Sequence, residues 1–400
     1  MDNDITIIGA GPAGLSFALL LANSGLRIAL IDKQSRDQLA LPAFDGRDIA
    51  LTHQSQRILQ SLGVWARIEP ADRSCIKTAR VQDGTSSYSL EFDAADSGTD
   101  ALGTIVSNHV IRQALFDQMQ SLENVELHTD ALVSDVRTND GHATIVLGDG
   151  QSLRSRLVVS ADSRFSETRR MMGIAASMHD FGRVCIVCRV QHEQPHDQVA
   201  FECFHYGRTL AVLPLSENTS SIVITAAMHQ RAEIMNMDEG LFNHDLQHRF
   251  SNRLGCMSLI SPRFAYPLVG VHARRFHATR FALIGDAAVG MHPVTAHGYN
   301  LGLRGAEILA LEIMAAKARA ADIAGTAVLR RYQAKHMRKT IPIYRGTNEI
   351  VRLFTDDRLP VKLARKAVLR LSNNLPPIKR VIRHLLTQPG NRTRLLPLRF

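Results

Sequence analysis

The chain has 400 residues, 45% of them apolar and 21% charged, with only five cysteines. These proportions suit a folded protein of two or three domains and exclude global disorder, a collagen-like repeat and a disulfide-stapled scaffold. Lys and Arg number 47 against 38 Asp and Glu, but the surplus is confined to one end: from Arg358 to Phe400 there are eleven Lys/Arg and no carboxylate. A near-neutral body therefore carries a strongly basic tail. The opening MDND runs straight into apolar Ile5–Ile8 without a basic leader, and no apolar run approaches the ~18 residues of a membrane span. A reduced, cytoplasmic protein is expected, peripheral at an inner membrane if the tail binds lipid.

In chain order, Ile5–Ile8 predicts a strand, Gly9–Gly14 a turn and Ala13–Asn23 a helix stopped by Gly25, followed by a strand at Arg27–Ile31. His53–Leu62 predicts a helix capped by Thr52 and closed by Gly63. Asn108–Leu122 predicts another with Ser107 as its cap, and Leu153–Ser160 reads as a buried strand. Four short runs (Arg183–Val190, Val199–Tyr206, Thr209–Leu215 and Ser220–Ala226) then imply an antiparallel sheet, which Thr78–Gln82 and Tyr88–Phe92 are placed to join. Cys185 and Cys188 spell CxxC within one of these strands. Alternation sends them to opposite faces as half-buried thiols, and no metal site is expected. Phe281–Ile284 resumes the buried style, with a helix from Gly298 to Lys317. The last hundred residues read as helical, with breaks at Pro342, Pro360 and Pro376–Pro377.

Gly9-Ala10-Gly11-Pro12-Ala13-Gly14 fits GxGxxG between a strand and a helix. Gly9 permits the tight turn, Gly11 the approach of a pyrophosphate, and Gly14 close packing of helix on strand. Asp32 ends the second strand, where an acid grips ribose hydroxyls and favours FAD or NAD over NADP. A second ligand loop is expected at Gly285-Asp286, with Gly298 and Gly302 letting backbone amides approach a flavin carbonyl. His292 and His297 flank Pro293 there. Each is a candidate to polarise substrate or flavin, since imidazole changes charge near neutral pH, with a hydrogen bond that orders the loop as the plainer reading.

With these motifs in place the chain resembles the single-component FAD-dependent aromatic hydroxylases, and more closely the ubiquinone-biosynthesis hydroxylase family, over almost its whole length. Asp45-Gly46-Arg47-Asp48-Ile49-Ala50-Leu51 through Leu62-Gly63-Val64-Trp65 is similar to the family's DGRxIAL…LGxW segment, and Val106–Leu115 to the helix whose arginine, here Arg112, approaches the cofactor. Phe201–Ile224 resembles its substrate-domain strands, and Gly285-Asp286 its GD motif. Pro293, Gly298 and Asn300 match the loop beside the flavin ring. The resemblance adds Ala13, Lys33, Val133 and Asp162 to the cofactor set. It departs at Ser163 for glycine, Val289 for histidine, Ala296-His297 for Gly-Gln and Gly305 for aspartate, changes that resemble the UbiM subgroup. Trp65 reads as core packing.

The resemblance implies an α/β fold: a Rossmann-like, glutathione-reductase-type FAD-binding domain built from residues 1–72, 102–176 and 272–355. An antiparallel-sheet substrate domain (73–101 and 177–271) is inserted, and a basic helical region (356–400) follows. It implies a monooxygenase using FAD, O2 and NAD(P)H or another donor, in which a C4a-hydroperoxyflavin hydroxylates the ring of a polyprenyl phenol or quinol, with Pro293, His292 and His297 as positioning residues. The reaction is of the 5-demethoxyubiquinol 5-hydroxylase type, acting at one ring carbon or more. A soluble phenolic substrate and a non-catalytic FAD-binding assembly subunit remain the alternatives. In the tail, Ile378, Val381, Ile382, Leu385 and Leu386 form one apolar stripe opposite Lys379, Arg380 and Arg383, and Val361–Leu371 behaves similarly. That pattern suits an anionic membrane surface, a lipid-handling complex or a helical cap on the body. Aromatics are not interleaved with these cations, so no nucleic-acid partner is expected.

Overall fold

The run Asn3–Ile8 becomes the centre of a parallel sheet. It pairs with Ile28–Ile31 on one side and Ser152–Ser160 on the other, and Val125–His128 and Phe281–Leu283 extend the two flanks, all in parallel. Ile28–Ile31 is buried at every position, as a strand covered on both faces must be, which explains why it reads as a continuous apolar run. The helix Pro12–Leu20 packs against both Asn108–Met119 and His297–Lys317. Val133–Thr138 and Ala143–Leu147 form an antiparallel meander leading into Ser152–Ser160. The computed structural model describes residues 2–83, 89–205, 207–292 and 297–355. Pro293, the breaks at Pro360 and Pro376–Pro377, and the basic tail therefore lie outside the described residues.

A second sheet is organised around the long strand Ala176–His192, which pairs antiparallel with Thr219–Ala227 and Phe264–Ala273. Arg208–Pro214, Val199–His205, Thr78–Asp83 and Ser89–Asp93 complete one side in that order. The expected four strands and both weaker candidates are all in this sheet. It is not wholly antiparallel, however: Val199–His205 runs parallel to Thr78–Asp83, because the latter arrives from the other half of the molecule rather than through a hairpin. Its outer face is covered by helical residues Ile234, Phe242 and Leu246, packed on Val184, Ile186, Cys188 and Val190. Its inner face looks toward the first sheet, and a small antiparallel sheet (Asp48–Leu51, Gly103–Ser107, Ser74–Ile76) lies at the junction.

Several local expectations are corrected. The first helix ends at Leu20, and the chain makes a 3-10 turn over Ala22–Ser24 before left-handed Gly25 reverses it. The Asn108 helix stops at Met119, and Ser107 at its N-cap position makes no side-chain cap. Its hydroxyl instead donates to Asp48 Oδ1 at 2.7 Å. Thr52 does cap its helix, accepting from the Ser55 amide. Pro342 does not break the chain: the helix Thr326–Thr355 continues through it. Pro342 and Arg338, whose carbonyl loses its partner, are both exposed, so water can replace the missing donor. Cys185 and Cys188 do fall on opposite faces but are buried rather than half-buried, and burial pushes each thiol up to about 12.

Candidate active site

The glycine-rich turn is built by exclusion. Gly9 adopts φ +104°, and a Cβ there would lie 2.6 Å from the Ala161 carbonyl oxygen. A Cβ at Gly14 would strike the Gly9 carbonyl, so the helix is fastened to the turn. Gly11 differs: nothing lies within 4 Å of where its Cβ would be. Pro12 occupies the first helical position, and the first-turn amides of Ala13 and Gly14 have no acceptor within the helix. The result is an open cradle of N–H donors at the positive end of a helix dipole, suited to a pyrophosphate.

Asp32 lies beside this cradle. Its Oδ2 accepts from the Ala10 amide at 2.6 Å and its Oδ1 from the Gln34 amide at 2.8 Å, which fixes the carboxylate while leaving lone pairs for a ribose. The Ala131 amide donates to the Asp32 carbonyl at 3.0 Å, bringing the buried Val133 to the same edge; Lys33 is exposed. Arg112 donates to Gln34 Oε1 at 3.1 Å, and burial lowers its pKa. Arg47 pairs with Asp45 at 2.6 Å, and Asn108 donates to the same carboxylate at 2.7 Å. Burial raises the Asp45 pKa, but the Arg47 guanidinium and these hydrogen bonds outweigh it and hold the carboxyl below its ordinary range. The guanidinium also lies over the Tyr266 ring, whose hydroxyl donates to the Asp45 carbonyl at 2.7 Å. The Arg47 loop thereby joins the two sheets.

The second expected loop meets the first. Gly285 adopts φ +59°, and its Cβ would lie 2.7 Å from that of Ala13; a Cβ at Gly302 would lie 3.2 Å from Gly285 Cα. Three small residues thus stack the turn, the GD loop and the late helix. Asp286 pairs with Arg164 at 3.0 Å, and Arg164 also donates to the Val269 carbonyl at 2.9 Å. Asp162 accepts from Ser160 Oγ at 2.6 Å and from the Thr168 amide and hydroxyl at 3.1 and 2.9 Å, so its visible work is to cap a helix. Ser163 holds φ +81°, the conformation a glycine adopts without strain.

At the start of the late helix, Gly298 again has nothing within 4 Å of a Cβ, leaving its backbone open to a ligand. Asn300 is spoken for: Oδ1 accepts from the Thr52 amide at 3.0 Å and Nδ2 donates to the Ala50 carbonyl at 2.9 Å. Its side chain ties the helix to the Arg47 segment, so any direct cofactor contact falls to its backbone. His292 and His297 are both buried. Burial, helped by nearby Arg183 and Arg164, lowers His292 to about 4, and its ring meets Phe181 edge-on at 4.9 Å. It is neutral at physiological pH, which corrects the expectation of a histidine there that changes charge near neutrality. At Gly305 a Cβ would lie 2.6 Å from His336 Nε2, so the buried His336 ring occupies the space that the family's aspartate side chain would enter.

Three residues of the site carry no sequence signal: Arg164, Tyr266 and Arg189. Arg189, on the inner face of the second sheet, pairs at 2.7 Å with Asp48, whose side chain is fully buried; it also donates to Ser107 and lies over Phe44 at 4.7 Å. Phe44 in turn meets Phe264 edge-on at 5.6 Å. Each partner lies more than eighty positions away in the chain, beyond the reach of local periodicity.

A dinucleotide cradle, a second glycine loop stacked on it and a facing sheet define a flavoprotein of the FAD-dependent monooxygenase fold. The crystal structure of p-nitrophenol 4-monooxygenase PnpA from Pseudomonas putida superposes with a TM-score of 0.77 at 18% identity, covering 96% of this chain and 98% of that one. The chain belongs to the FAD-binding family whose model, described as FAD binding domain, matches residues 2–339. It is 46% identical to ubiquinone hydroxylase UbiM of Neisseria meningitidis over 97% of this chain and 85% of the relative. It is 33% identical to ubiquinone hydroxylase UbiL of Rhodospirillum rubrum, over 96% and 89% respectively.

Proposed function

We propose that the protein is an FAD-dependent monooxygenase that hydroxylates the aromatic ring of a polyprenyl phenol or quinol in ubiquinone biosynthesis. The observation that carries this reading is the stacking of Ala13, Gly285 and Gly302, which brings both ligand loops to one point opposite the inner wall of the second sheet. The 46% identity to a ubiquinone hydroxylase supports the substrate class. The domain division follows from it: residues 1–72, 102–176 and 272–355 hold FAD, and 73–101 and 177–271 hold substrate.

Bound FAD supplies the activation of O2 and the transfer of one oxygen to the ring. The chain supplies the rest. The amides of Gly11, Ala13 and Gly14 receive the pyrophosphate, Asp32 a ribose, and Val133 and Lys33 border the adenosine end. Asp286, oriented by Arg164, accepts from the ribityl hydroxyls, and Asp162 acts by ordering the loop that carries Arg164. Arg47 and Arg112 place positive charge beside the cofactor, and the open backbone at Gly298 faces the flavin ring. His292, neutral and buried, and His297, also buried, act as positioning groups with Pro293 between them in the chain. Val187, Phe264 and Leu268 keep water from the reacting face.

NAD(P)H or another donor reduces the flavin. Among the described residues no helix is long and apolar enough to cross a membrane, so access to a polyprenyl substrate falls to the surface. The eleven Lys/Arg of residues 358–400, set opposite apolar stripes, suit an anionic bilayer. Flotation of the full chain and of residues 1–357 with phosphatidylglycerol vesicles tests this: the full chain should float and the truncated chain remain below, and equal flotation rejects the role. For the reaction, expression in a bacterium lacking its own ubiquinone hydroxylases should relieve precursor accumulation. Purified yellow protein with no relief and no hydroxylated product would reject the enzymatic reading in favour of a non-catalytic flavoprotein.

A further inference from the structure

One carboxylate on the inner wall has no structural work. Glu202 lies on Val199–His205 and pairs across the sheet with Ala211, which pairs with Val223, then Val187, then Phe264. Directly paired residues in adjoining strands point to the same face. The far end of that row is fixed by contact: a Cβ at Gly46, in the Arg47 loop, would lie 2.6 Å from the Phe264 ring and 2.9 Å from Val187. Glu202 therefore faces the cofactor half, in a row otherwise made of alanine, valine and phenylalanine. On its parallel neighbour Thr78–Asp83 the register partner is Val81, again apolar.

Its surroundings set it apart from acids nearby: Glu91 of the same sheet pairs with Arg80, and Asp245 and Glu233 of the covering helices pair with Arg208. Among the described residues Glu202 makes no ion pair and no hydrogen bond, and burial alone raises its carboxyl to about 8. The titratable groups that sense it are the Cys185 thiol, across the same face, and the Cys203 thiol beside it. Asp83, paired with Phe204, lies one register step along the same face. Arg253 bonds Gln82 from the opposite face. A half-buried acid without a protein partner is costly to ionise, and such groups concentrate where a ligand completes them.

We propose that Glu202 receives the ring hydroxyl of the phenolic substrate and acts as the general base that activates the ring, an inference that rests on the phenol hydroxylase reading above. In its ionised form the carboxylate accepts the hydroxyl proton. The phenolic O–H bond breaks, a carboxyl O–H bond forms, and the electron pair stays on the ring oxygen, where it enriches the ring carbons that take up oxygen. The proton is returned to solvent after product leaves. The row from Glu202 to Val187 crosses three strand spacings, roughly 14 Å, enough for a substituted ring between the acid and the Arg47 loop.

The test compares wild type with Glu202→Gln, using 2-prenylphenol and a fluorinated analogue that ionises at lower pH. Flavin absorbance per mole of protein should be equal in the two, which separates this proposal from the cofactor assignment. The wild-type hydroxylation rate should rise with pH to a plateau above about 8. The variant should lose about a hundredfold in rate, lose that inflection, and recover most of the rate on the fluorinated phenol. Calorimetric binding of 2-prenylphenol provides a readout independent of turnover: the variant should bind about tenfold more weakly at pH 8.5 and show no pH-dependent affinity. Should the wild type bind the phenol but not turn it over, the proposed function fails, and these affinities still decide the role of Glu202. An unchanged pH profile and affinity, or an equal loss on both phenols, overturns the proposal.

Discussion

The cofactor cradle makes a prediction in which two neighbouring glycines respond in opposite ways. Gly11 adopts φ −73° and has nothing within 4 Å of a Cβ, whereas a Cβ at Gly14 lands on the Gly9 carbonyl, with the carbonyl carbon only 3.1 Å away. Gly11→Ala should therefore leave the apoprotein at least as stable as wild type. Loss of unfolded-state freedom favours it by about 0.5 kcal/mol, a rise of roughly 1 °C in Tm. Its methyl group, however, fills the space the pyrophosphate must enter, and about 3 kcal/mol of lost binding corresponds to a ~100-fold rise in the FAD dissociation constant. Gly14→Ala forces helix and strand apart and should destabilise the fold itself by about 3 kcal/mol. Differential scanning fluorimetry of the apoproteins, paired with fluorescence titration by FAD, reads both quantities. Wild-type FAD affinity in Gly11→Ala, or a Gly14→Ala protein as stable as wild type, would refute the cradle.

The remaining predictions follow from single contacts. Arg189→Met leaves Asp48 buried and unpaired between the sheets, and should cost about 3–5 kcal/mol in urea unfolding; a loss under 1 kcal/mol would show the pair to be incidental. Ser163→Gly relieves the left-handed backbone at φ +81° and should raise Tm by about 1–2 °C, so a lower Tm contradicts the strain. Glu202 carries a pKa raised by burial from 4.5 to about 8. The folded state then holds a proton that the unfolded state releases, so this group subtracts stability progressively as pH rises from about 4.5 to 8. Glu202→Gln should match wild type near pH 4.5 and exceed it at pH 8.5. Parallel pH–stability curves would mean that the group is solvated.

The segments legible from sequence were those whose chemistry is local. The strand, GxGxxG turn, helix and Asp32 follow one another within about thirty residues, and each imposes a backbone requirement that composition reveals. The second sheet was readable as alternating strands, but the parallel seam between Val199–His205 and Thr78–Asp83 was not, since strand direction across a long insertion leaves no periodic trace. Ser107 shows the same limit at one residue: it has the right type and place for a cap, yet Asp48 and Arg189 claim its hydroxyl from two other segments. Asn300 is assigned to the flavin loop by resemblance alone, and its side-chain bonds to Ala50 and Thr52 arise only from the folded chain. Glu202 was hidden because an acid in an alternating strand ordinarily marks the solvent face. Here that face turns toward the cofactor half, and only the register reveals which one it occupies.

This FAD-binding chain is expected to place one atom of O2 on a phenolic ring. The most direct measurement is mass spectrometry of products from the FAD-loaded full chain, given 2-prenylphenol, NADH or a chemical reductant, and 18O2. A hydroxylated ring carrying one 18O is expected. Tightly bound, reducible FAD that consumes O2 and yields only labelled peroxide would contradict that expectation.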